Sequence, residues 1–246
     1  MPLFNTGTQL KKIFIFLFYS LSSTLLFSQT NNVQNITPDS LLKLFKLGGI
    51  FMYPLLAFSI TSVGIILERT ITFIFSRTDV SKFMNSIIAL VKDKKISEAL
   101  DLCQGEKNYH ILPIVKSGLD VLNEGLDRVE KAMESQSIVE INHLERGLDL
   151  LSAIGSLAPI TGFLGTVSGM ISAFYSIAIA ENVNAQLVAS GIYEALITTA
   201  FGLIIAIFTI AAHNVFKHLI ERFAVNVEKN GNDLINTLIK YQVVAK

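Results

Sequence analysis

The chain has 246 residues, of which 51% are hydrophobic and 16% are charged, and its formal net charge is zero. The charged fraction is well below the roughly 25% of soluble domains, and long uncharged stretches indicate a membrane protein. A neutral chain has no general attraction for nucleic acid, so we expect none as a partner. Cys103 is the only cysteine, which excludes an intramolecular disulfide and any metal site built from several cysteines.

The first apolar stretch lies near the N-terminus. Residues 13–27 follow Lys11 and Lys12 and end at a serine. A basic start, a short apolar run and a small residue are typical of a secretory signal peptide. An uncleaved signal-anchor is the alternative for residues 1–28. Either one places the polar stretch 29–47 outside the cytoplasm.

Three further apolar stretches are long enough to cross the ~30 Å hydrocarbon core of a bilayer as helices. We expect transmembrane helices at residues 48–67, 150–180 and 188–212. The second contains Pro159, and the third carries a single charge, Glu194. The sequence therefore predicts an all-α membrane protein with three transmembrane helices in the mature chain.

The distribution of basic residues predicts how these helices are oriented. Residues 68–149 contain eleven Lys and Arg, the tail 213–246 contains five, and the link 181–187 contains none. Basic residues concentrate on the cytoplasmic side of membrane proteins. We therefore expect 68–149 and 213–246 in the cytoplasm and 181–187 outside it. The mature N-terminus would lie outside and the C-terminus inside.

The predicted cytoplasmic segments have the periodicity of amphipathic helices. Apolar residues recur every three or four positions from Leu119 to Leu151, which predicts one long helix running into the second span. A shorter helix is expected at about residues 81–103, and residues 213–241 are expected to continue the last span. Together these helices would extend the membrane helices into a cytoplasmic helical bundle.

Small and hydroxyl side chains line one side of each of the last two spans, because positions three, four or seven apart share a helical face. In the second span they are Gly155, Gly162, Thr166, Gly169 and Ala173, with Gly165 on a neighbouring strip. In the last span they are Thr199, Gly202, Ala206 and Thr209, with Thr198 beside them. We expect the glycines and alanines to serve helix packing. The hydroxyl groups could serve packing alone or a water path.

Glu194 is an ionisable residue near the outer end of the last span. Such a residue is costly in a bilayer, which favours a place on a pathway or beside a partner over an interfacial carboxylate that reaches outside water. Threonine hydroxyls order water but do not titrate at useful pH. If the protein moves protons, the carboxylate that carries them halfway across the membrane must therefore come from another chain.

Two motifs resemble the signatures of the ExbB/TolQ/MotA proton-channel family. The stretch Gly162-Phe-Leu-Gly165-Thr166-Val-Ser-Gly169 is similar to the family's G-L-x-G-T-V-x-G. The stretch from Gly191 to Leu203 is similar to I-x-E-A-L-x-T-T-A-x-G-L. Residues 52–69 also look like the start of the ExbB branch, so the resemblance covers about residue 48 to the C-terminus.

The resemblance implies an ExbB-like proton-channel subunit of a complex in the bacterial inner membrane, which uses the proton motive force to drive TonB-dependent outer-membrane transport. It implies a homo-oligomer, a pentamer, around an ExbD-like single-span partner whose membrane Asp carries the proton. A TonB-like protein would be energised in turn. Thr166 and Thr199 match the family's pore-lining threonines, Thr198 adjoins them, and Glu194 matches its carboxylate. No cofactor and no metal are implied.

Several alternatives stay open at this point. A TolQ-like subunit for envelope integrity and division would share both motifs, and a non-conducting scaffold would use the small residues for packing alone. A MotA-type protein fits less well, and an enzyme is disfavoured because no cluster offers a nucleophile, a base and an orienting group. Phe208 stands where the family usually has a proline, which could alter the inner end of the pore.

Overall fold

A computed structural model describes residues 45–75, 80–105, 110–179 and 185–241. Within these ranges all regular secondary structure is helical, which confirms the all-α fold class for them. The helices are α1 (Met52–Phe75), α2 (Val80–Lys92), α3 (Ile96–Gly105), α4 (Ile111–Asp120), a 3-10 turn (Leu122–Glu124), α5 (Leu126–Glu145), α6 (Leu148–Ile179) and α7 (Ala185–Lys240). The predicted signal segment, residues 1–28, and most of residues 29–47 lie outside the described residues.

Three of the described helices are long and apolar enough to cross a membrane. The candidate spans are Met52–Ile74, Leu148–Ile179 and Val188–Lys240. Their number agrees with the three spans expected from the sequence. The helix expected over residues 213–241 is observed as the continuous second half of α7. The membrane limits of each span and the orientation of the chain stay predictions.

The described residues belong to two compact units. Of the described residues, those up to Val63 and those from Ala153 to Thr209 form the first unit, and those from Gly64 to Ser152 and from Ile210 onward form the second. The core of the first unit is built by the buried residues Met52, Leu55, Ala158 and Ile197, surrounded by Phe45, Phe58, Phe201 and Ile205. Other large apolar side chains of these helices are exposed, as expected for helices that face lipid or another chain.

The second unit has its own apolar core. Fully buried side chains include Met84, Ile87, Val91, Ile111, Leu112, Ile114, Leu234 and Leu238. Helices α4 and α5 pack closely at Gly118, where a methyl group would lie only 2.5 Å from the Met133 Cγ atom. The rings of Phe73 and Phe216 stack with their centroids 5.7 Å apart. The first contact joins α4 to α5, and the second joins α1 to the second half of α7.

The predicted continuous helix from Leu119 to Leu151 is wrong. Helix α4 ends at Asp120, α5 occupies Leu126–Glu145, and α6 begins at Leu148. The breaks contain Gly125 with φ of 104° and Gly147 with φ of 82°. A right-handed helix requires negative φ, so the chain leaves the helix at both glycines even though the apolar periodicity continues.

An arginine from α1 stabilises the end of α5 at the second of these breaks. The Arg69 side chain is buried, and its Nη1 donates to the carbonyl oxygens of His143 at 3.2 Å and Leu144 at 3.3 Å. Its Nε and Nη2 atoms bind the Glu68 carboxylate at 2.9 and 2.6 Å. The last carbonyl groups of a helix have no intrahelical donors, so Arg69 supplies what α5 lacks.

The predicted helix at residues 81–103 is also wrong in its continuity, because α2 and α3 are separate. Lys94 has φ of 59°, which places it in the left-handed region. The Lys94 amide donates to the carbonyl oxygen of Val91 over 3.1 Å, and the Lys95 amide donates to the carbonyl oxygen of Leu90 over 2.9 Å. These two bonds form a Schellman motif, which ends α2 without a glycine.

Candidate functional site

In the first unit, α6 and α7 meet at glycines. A methyl group at Gly162 would lie 3.0 Å from the Thr198 carbonyl oxygen and 3.1 Å from the Thr199 Cα atom. A methyl group at Gly202 would lie 2.6 Å from the carbonyl oxygen of Ala158. Side-chain carbons almost never come as close to a backbone as the Gly202 distance, so this helix separation requires glycine at Gly202. A methyl group at Gly162 would be tighter than most contacts and would press the helices apart.

The contact extends along α6 towards its C-terminal end. Gly165 packs against the Thr198 side chain, whose hydroxyl a methyl group would overlap. A methyl group at Gly169 would lie 2.8 Å from the Gly191 carbonyl oxygen, and one at Gly191 would lie 2.7 Å from the Ala173 Cβ atom. Gly165 therefore belongs to the same contact as Gly162 and Gly169. The remaining residues of the expected packing set, Gly155 and Ala206, are buried as well.

Some residues of this contact do not belong to the set expected from the sequence. Gly191 and Ala195 of α7 lie against Gly169, and Ala158 of α6 lies against Gly202. Gly191 and Ala195 are four positions apart, which is the small-residue spacing of close helix contacts. That spacing was available in the sequence as a signal for the contact.

The Thr199 hydroxyl bridges the two helices. Its Oγ1 donates to the carbonyl oxygen of Gly162 over 3.1 Å. The Thr198 hydroxyl lies 2.9 Å from the Ala195 carbonyl oxygen of its own helix and 3.4 Å from the Gly162 carbonyl oxygen. Thr198 is almost fully buried, whereas Thr199 is half-buried. The structure thus brings Thr198, Thr199, Gly162 and Gly165 together.

Thr166 lies one helical turn beyond Gly162 on α6. Its Oγ1 donates to the Phe163 carbonyl oxygen of the same helix over 2.7 Å, and the residue is half-buried. A hydroxyl that donates one bond keeps two lone pairs with which it can accept hydrogen bonds from water. Thr166 and Thr199 can therefore accept hydrogen bonds from water, although each hydroxyl already donates to a carbonyl oxygen.

Glu194 lies beside the segment that leads into α1. Its carboxylate packs against Gly49, which has φ of 69°, and the residue is half-buried. Thr198 follows Glu194 by four positions, so the carboxylate is one turn of α7 away from the Thr198–Gly165 contact. The one charged residue of residues 188–212 therefore lies on the same helix as both bonded threonines.

The chemistry available at this contact is hydrogen bonding. Within residues 45–75, 80–105, 110–179 and 185–241, no three His, Cys, Asp or Glu side chains come together as a metal site. The contact offers hydroxyl groups, backbone carbonyl groups and one carboxylate. These groups can order water in an apolar surrounding, and Glu194 is the one acidic side chain among them.

Comparison with known proteins agrees with this arrangement. The sequence matches the MotA/TolQ/ExbB proton channel family over residues 106–229, slightly more than half of the chain, and this range contains the α6–α7 contact. The chain is 32% identical over 190 residues to biopolymer transport protein ExbB-like 3 of Synechocystis, covering 75% of this chain and 89% of that relative.

Two further relatives carry the names of different systems. Biopolymer transport protein ExbB of Pseudomonas putida is 37% identical over 105 residues, which cover 42% of this chain and 32% of that protein. Tol-Pal system protein TolQ of Haemophilus influenzae is 30% identical over 172 residues, covering 65% of this chain and 75% of that protein. The chain belongs to the MotA/TolQ/ExbB proton channel family.

Proposed function

We propose that this protein is the ExbB-like proton-channel subunit of an inner-membrane complex that uses the proton motive force to drive TonB-dependent outer-membrane transport. The observation that carries the proposal is the Thr199 hydroxyl, which spans a glycine-lined helix contact to the Gly162 carbonyl oxygen in a member of a proton channel family. An apolar contact needs no such bond for its packing. A polar group held there has a use if water or protons pass beside it.

In the proposed path, Thr166 and Thr199 accept hydrogen bonds from water, and their own donors are held by carbonyl groups of α6. Holding the donors fixes the direction in which the oxygen lone pairs point, so the water beside them is ordered. Thr198 forms the wall behind Thr199 by packing against Gly165. Neither threonine can hold a proton, so these groups guide protons without carrying them.

The proton carrier is proposed to be the membrane Asp of an ExbD-like single-span partner. This follows from the chemistry of the described path, whose hydroxyl groups do not titrate at useful pH. Glu194 is proposed to interact with protons or with the partner near the periplasmic end of the path. The proposal also includes a homo-oligomer, a pentamer, in the lipid bilayer, and a TonB-like protein that receives the energy.

The proposed topology follows the charge distribution. Residues 68–149 and 213–246, with eleven and five basic residues, are proposed to lie in the cytoplasm, and residues 181–187, with none, in the periplasm. The mature N-terminus would lie in the periplasm and the C-terminus in the cytoplasm. In this orientation Glu194 faces the side from which protons enter under the proton motive force.

Reconstitution tests the function directly. The chain is co-purified with a single-span partner that carries a membrane Asp and incorporated into vesicles, and proton entry is followed with a pH-sensitive dye under an imposed potential. We expect flux that requires both chains and disappears when the partner's Asp is replaced by Asn. A stable complex without flux, or flux that survives the Asn replacement, would contradict the proposal.

A TolQ-like role is the second candidate, favoured by the similarity to the Haemophilus influenzae protein. Both roles use proton flux, so cells that lack the chain distinguish them. Loss of energised outer-membrane uptake with an intact envelope supports the ExbB-like role. Leakage of periplasmic proteins and chains of undivided cells, with normal uptake, would assign the TolQ-like role instead.

A further inference from the structure

The carboxylate of Glu194 occupies a place that only glycine leaves open. A methyl group on Gly49 would overlap the Glu194 Oε1 atom and would lie 2.9 Å from Cδ. Gly49 also has φ of 69°, in the left-handed region that other residues rarely adopt. The backbone conformation therefore favours glycine at this position, and any side chain there would displace the Glu194 carboxylate.

The turn that contains Gly49 is held by its own hydrogen bonds. The Gly48 amide donates to the Phe45 carbonyl oxygen and the Met52 amide donates to the Gly49 carbonyl oxygen, both over 3.3 Å. Phe45 packs edge-on against Tyr53 with ring centroids 5.5 Å apart, which ties both sides of the turn together. Gly49 therefore presents a fixed surface to the carboxylate.

The neighbouring glycine makes a different contact. A methyl group on Gly48 would lie 2.5 Å from Cγ and 2.7 Å from Sδ of Met52, and 3.3 Å from Cγ2 of Ile197. Met52 is buried in the core of the first unit, so a methyl group on Gly48 would disturb apolar packing. Gly48 and Gly49 are thus equally small and adjacent in the turn, but Gly49 is the one in contact with Glu194.

We propose that Gly49 is a positioning residue for Glu194, which keeps the carboxylate in one place at the outer end of the proton path. This inference rests on the proposed function. A carboxylate in a membrane span has many orientations in which it reaches bulk water, and the fixed turn around Gly49 selects one. The turn also leads into the first turn of α1, whose positive helix end favours a nearby negative charge.

The test compares proton flux through the reconstituted complex for four chains. They are the unchanged chain, Gly49→Ala, Glu194→Ala and the double variant Gly49→Ala/Glu194→Ala. We expect Gly49→Ala and Glu194→Ala each to lower flux by about tenfold. In the double variant the added methyl group has no carboxylate to displace, so we expect no further loss.

Two further variants separate positioning from folding. Gly64→Ala, the matched control, should keep flux within about twofold of the unchanged chain, because a methyl group there meets no atom within 4 Å. Gly49→Asn tolerates the left-handed conformation but adds the same Cβ atom, so it should also lose flux. Shortening the carboxylate by Glu194→Asp in the Gly49→Ala chain should recover flux, since the acidic group is kept while the overlap is relieved.

The outcomes are decisive in each direction. Additive losses in the double variant, equal losses for Gly64→Ala and Gly49→Ala, or an unaffected Gly49→Asn chain would overturn the positioning role. Gly49→Ala chains that fail to accumulate with and without Glu194 would overturn it too, because backbone strain alone would then explain the loss. Absence of flux in the unchanged complex would instead contradict the proposed function.

Discussion

The hydroxyl of Thr199 on α7 donates to the carbonyl oxygen of Gly162 on α6, 3.1 Å away. The bond is possible because Gly162 has no side chain, so that the Thr199 Cα atom lies 3.1 Å from where a methyl group would stand. Close packing and polar chemistry thus depend on the same pair. A side chain at Gly162 should therefore disturb both the helix contact and the water beside it, whereas loss of the Thr199 hydroxyl alone should remove the bond and leave the packing.

Gly202→Ala should lower the thermal stability of the protein in detergent. The added methyl group would lie 2.6 Å from the Ala158 carbonyl oxygen, so the helices must separate. Overpacking of this kind costs about 1–3 kcal/mol, more than the ~0.5–1 kcal/mol that alanine gains over glycine in a helix. The change is measured as a lower midpoint of thermal unfolding by circular dichroism.

Gly64→Ala is the matched control, because a methyl group there meets no atom within 4 Å. Its unfolding midpoint should equal or exceed that of the unchanged chain. If Gly202→Ala and Gly64→Ala had the same midpoint, the close contact at Gly202 would be refuted.

Arg69→Met should destabilise the protein through the end of α5. It removes the charged donor from the His143 and Leu144 carbonyl oxygens in a buried position. Hydrogen bonds to charged groups contribute about 1.5–3 kcal/mol, and we expect a loss of that size in the free energy of unfolding. Chemical denaturation in detergent measures it.

The exposed pair of Arg128 and Glu124 provides the comparison for Arg69. Arg128 Nε binds the Glu124 carboxylate at 2.9 Å, four positions away on the surface. Arg128→Met should cost only about 0.3–0.5 kcal/mol, because water screens such pairs. A loss for Arg69→Met no larger than that for Arg128→Met would rule out the capping role.

Glu194→Gln should weaken proton flux or the assembly of the complex without abolishing flux. The amide keeps the size of the side chain and its place beside Gly49 but carries no charge and no exchangeable acidic proton. We expect a loss of about tenfold, equivalent to ~1.4 kcal/mol, which is smaller than the loss caused by removing the partner's Asp. Unchanged flux together with an unchanged yield of complex would count against a role for Glu194.

Cys103 should react slowly with thiol reagents at neutral pH. Burial raises the pKa of its thiol from 9.0 to about 11, with Asp120 adding to the rise, so little thiolate is present. At pH 8 we expect alkylation at least about tenfold slower than in the denatured chain. The rise of the thiol pKa from 9.0 to about 11 leaves the folded chain with only about 1% of the thiolate that the denatured chain has. Mass spectrometry counts the label without ambiguity because no other cysteine is present.

The same shift fixes the sign of a pH effect on stability. The unfolded thiol ionises near pH 9.0 and the folded thiol near pH 11, so the folded state binds more protons between these values. The contribution of Cys103 to the free energy of unfolding is fully present below pH 9.0 and is lost as the pH rises to about 11. Equal alkylation rates for folded and denatured chains would contradict the burial that underlies both expectations.

The helices and the α6–α7 contact were predictable because both rest on periodicity. Small residues at helical spacing, such as Gly162 and Gly169, indicate a close helix contact, and apolar length indicates a span. The breaks in the second unit were not predictable in the same way. Lys94 adopts a conformation for which lysine has no preference, and the apolar pattern continues across Gly147.

The contacts of Arg69 and Glu194 depend on tertiary structure. Arg69 reaches carbonyl groups of a helix more than seventy positions later in the chain, and carbonyl groups have no sequence signature. Gly49 and Glu194 are more than a hundred positions apart in the chain, and the turn alone would explain the glycine. Only the folded first unit brings the two residues together.

The central claim is tested most directly by proton flux through the reconstituted complex carrying Thr199→Val. Valine keeps the shape of threonine and removes the hydroxyl, so the complex should assemble in normal yield while flux and energised uptake are lost. Thr209→Val is the control, because the buried Thr209 hydroxyl donates to the carbonyl oxygen of Ile205 in its own helix, at 2.7 Å, and its flux should remain. Normal flux through an assembled Thr199→Val complex would contradict the proposed path.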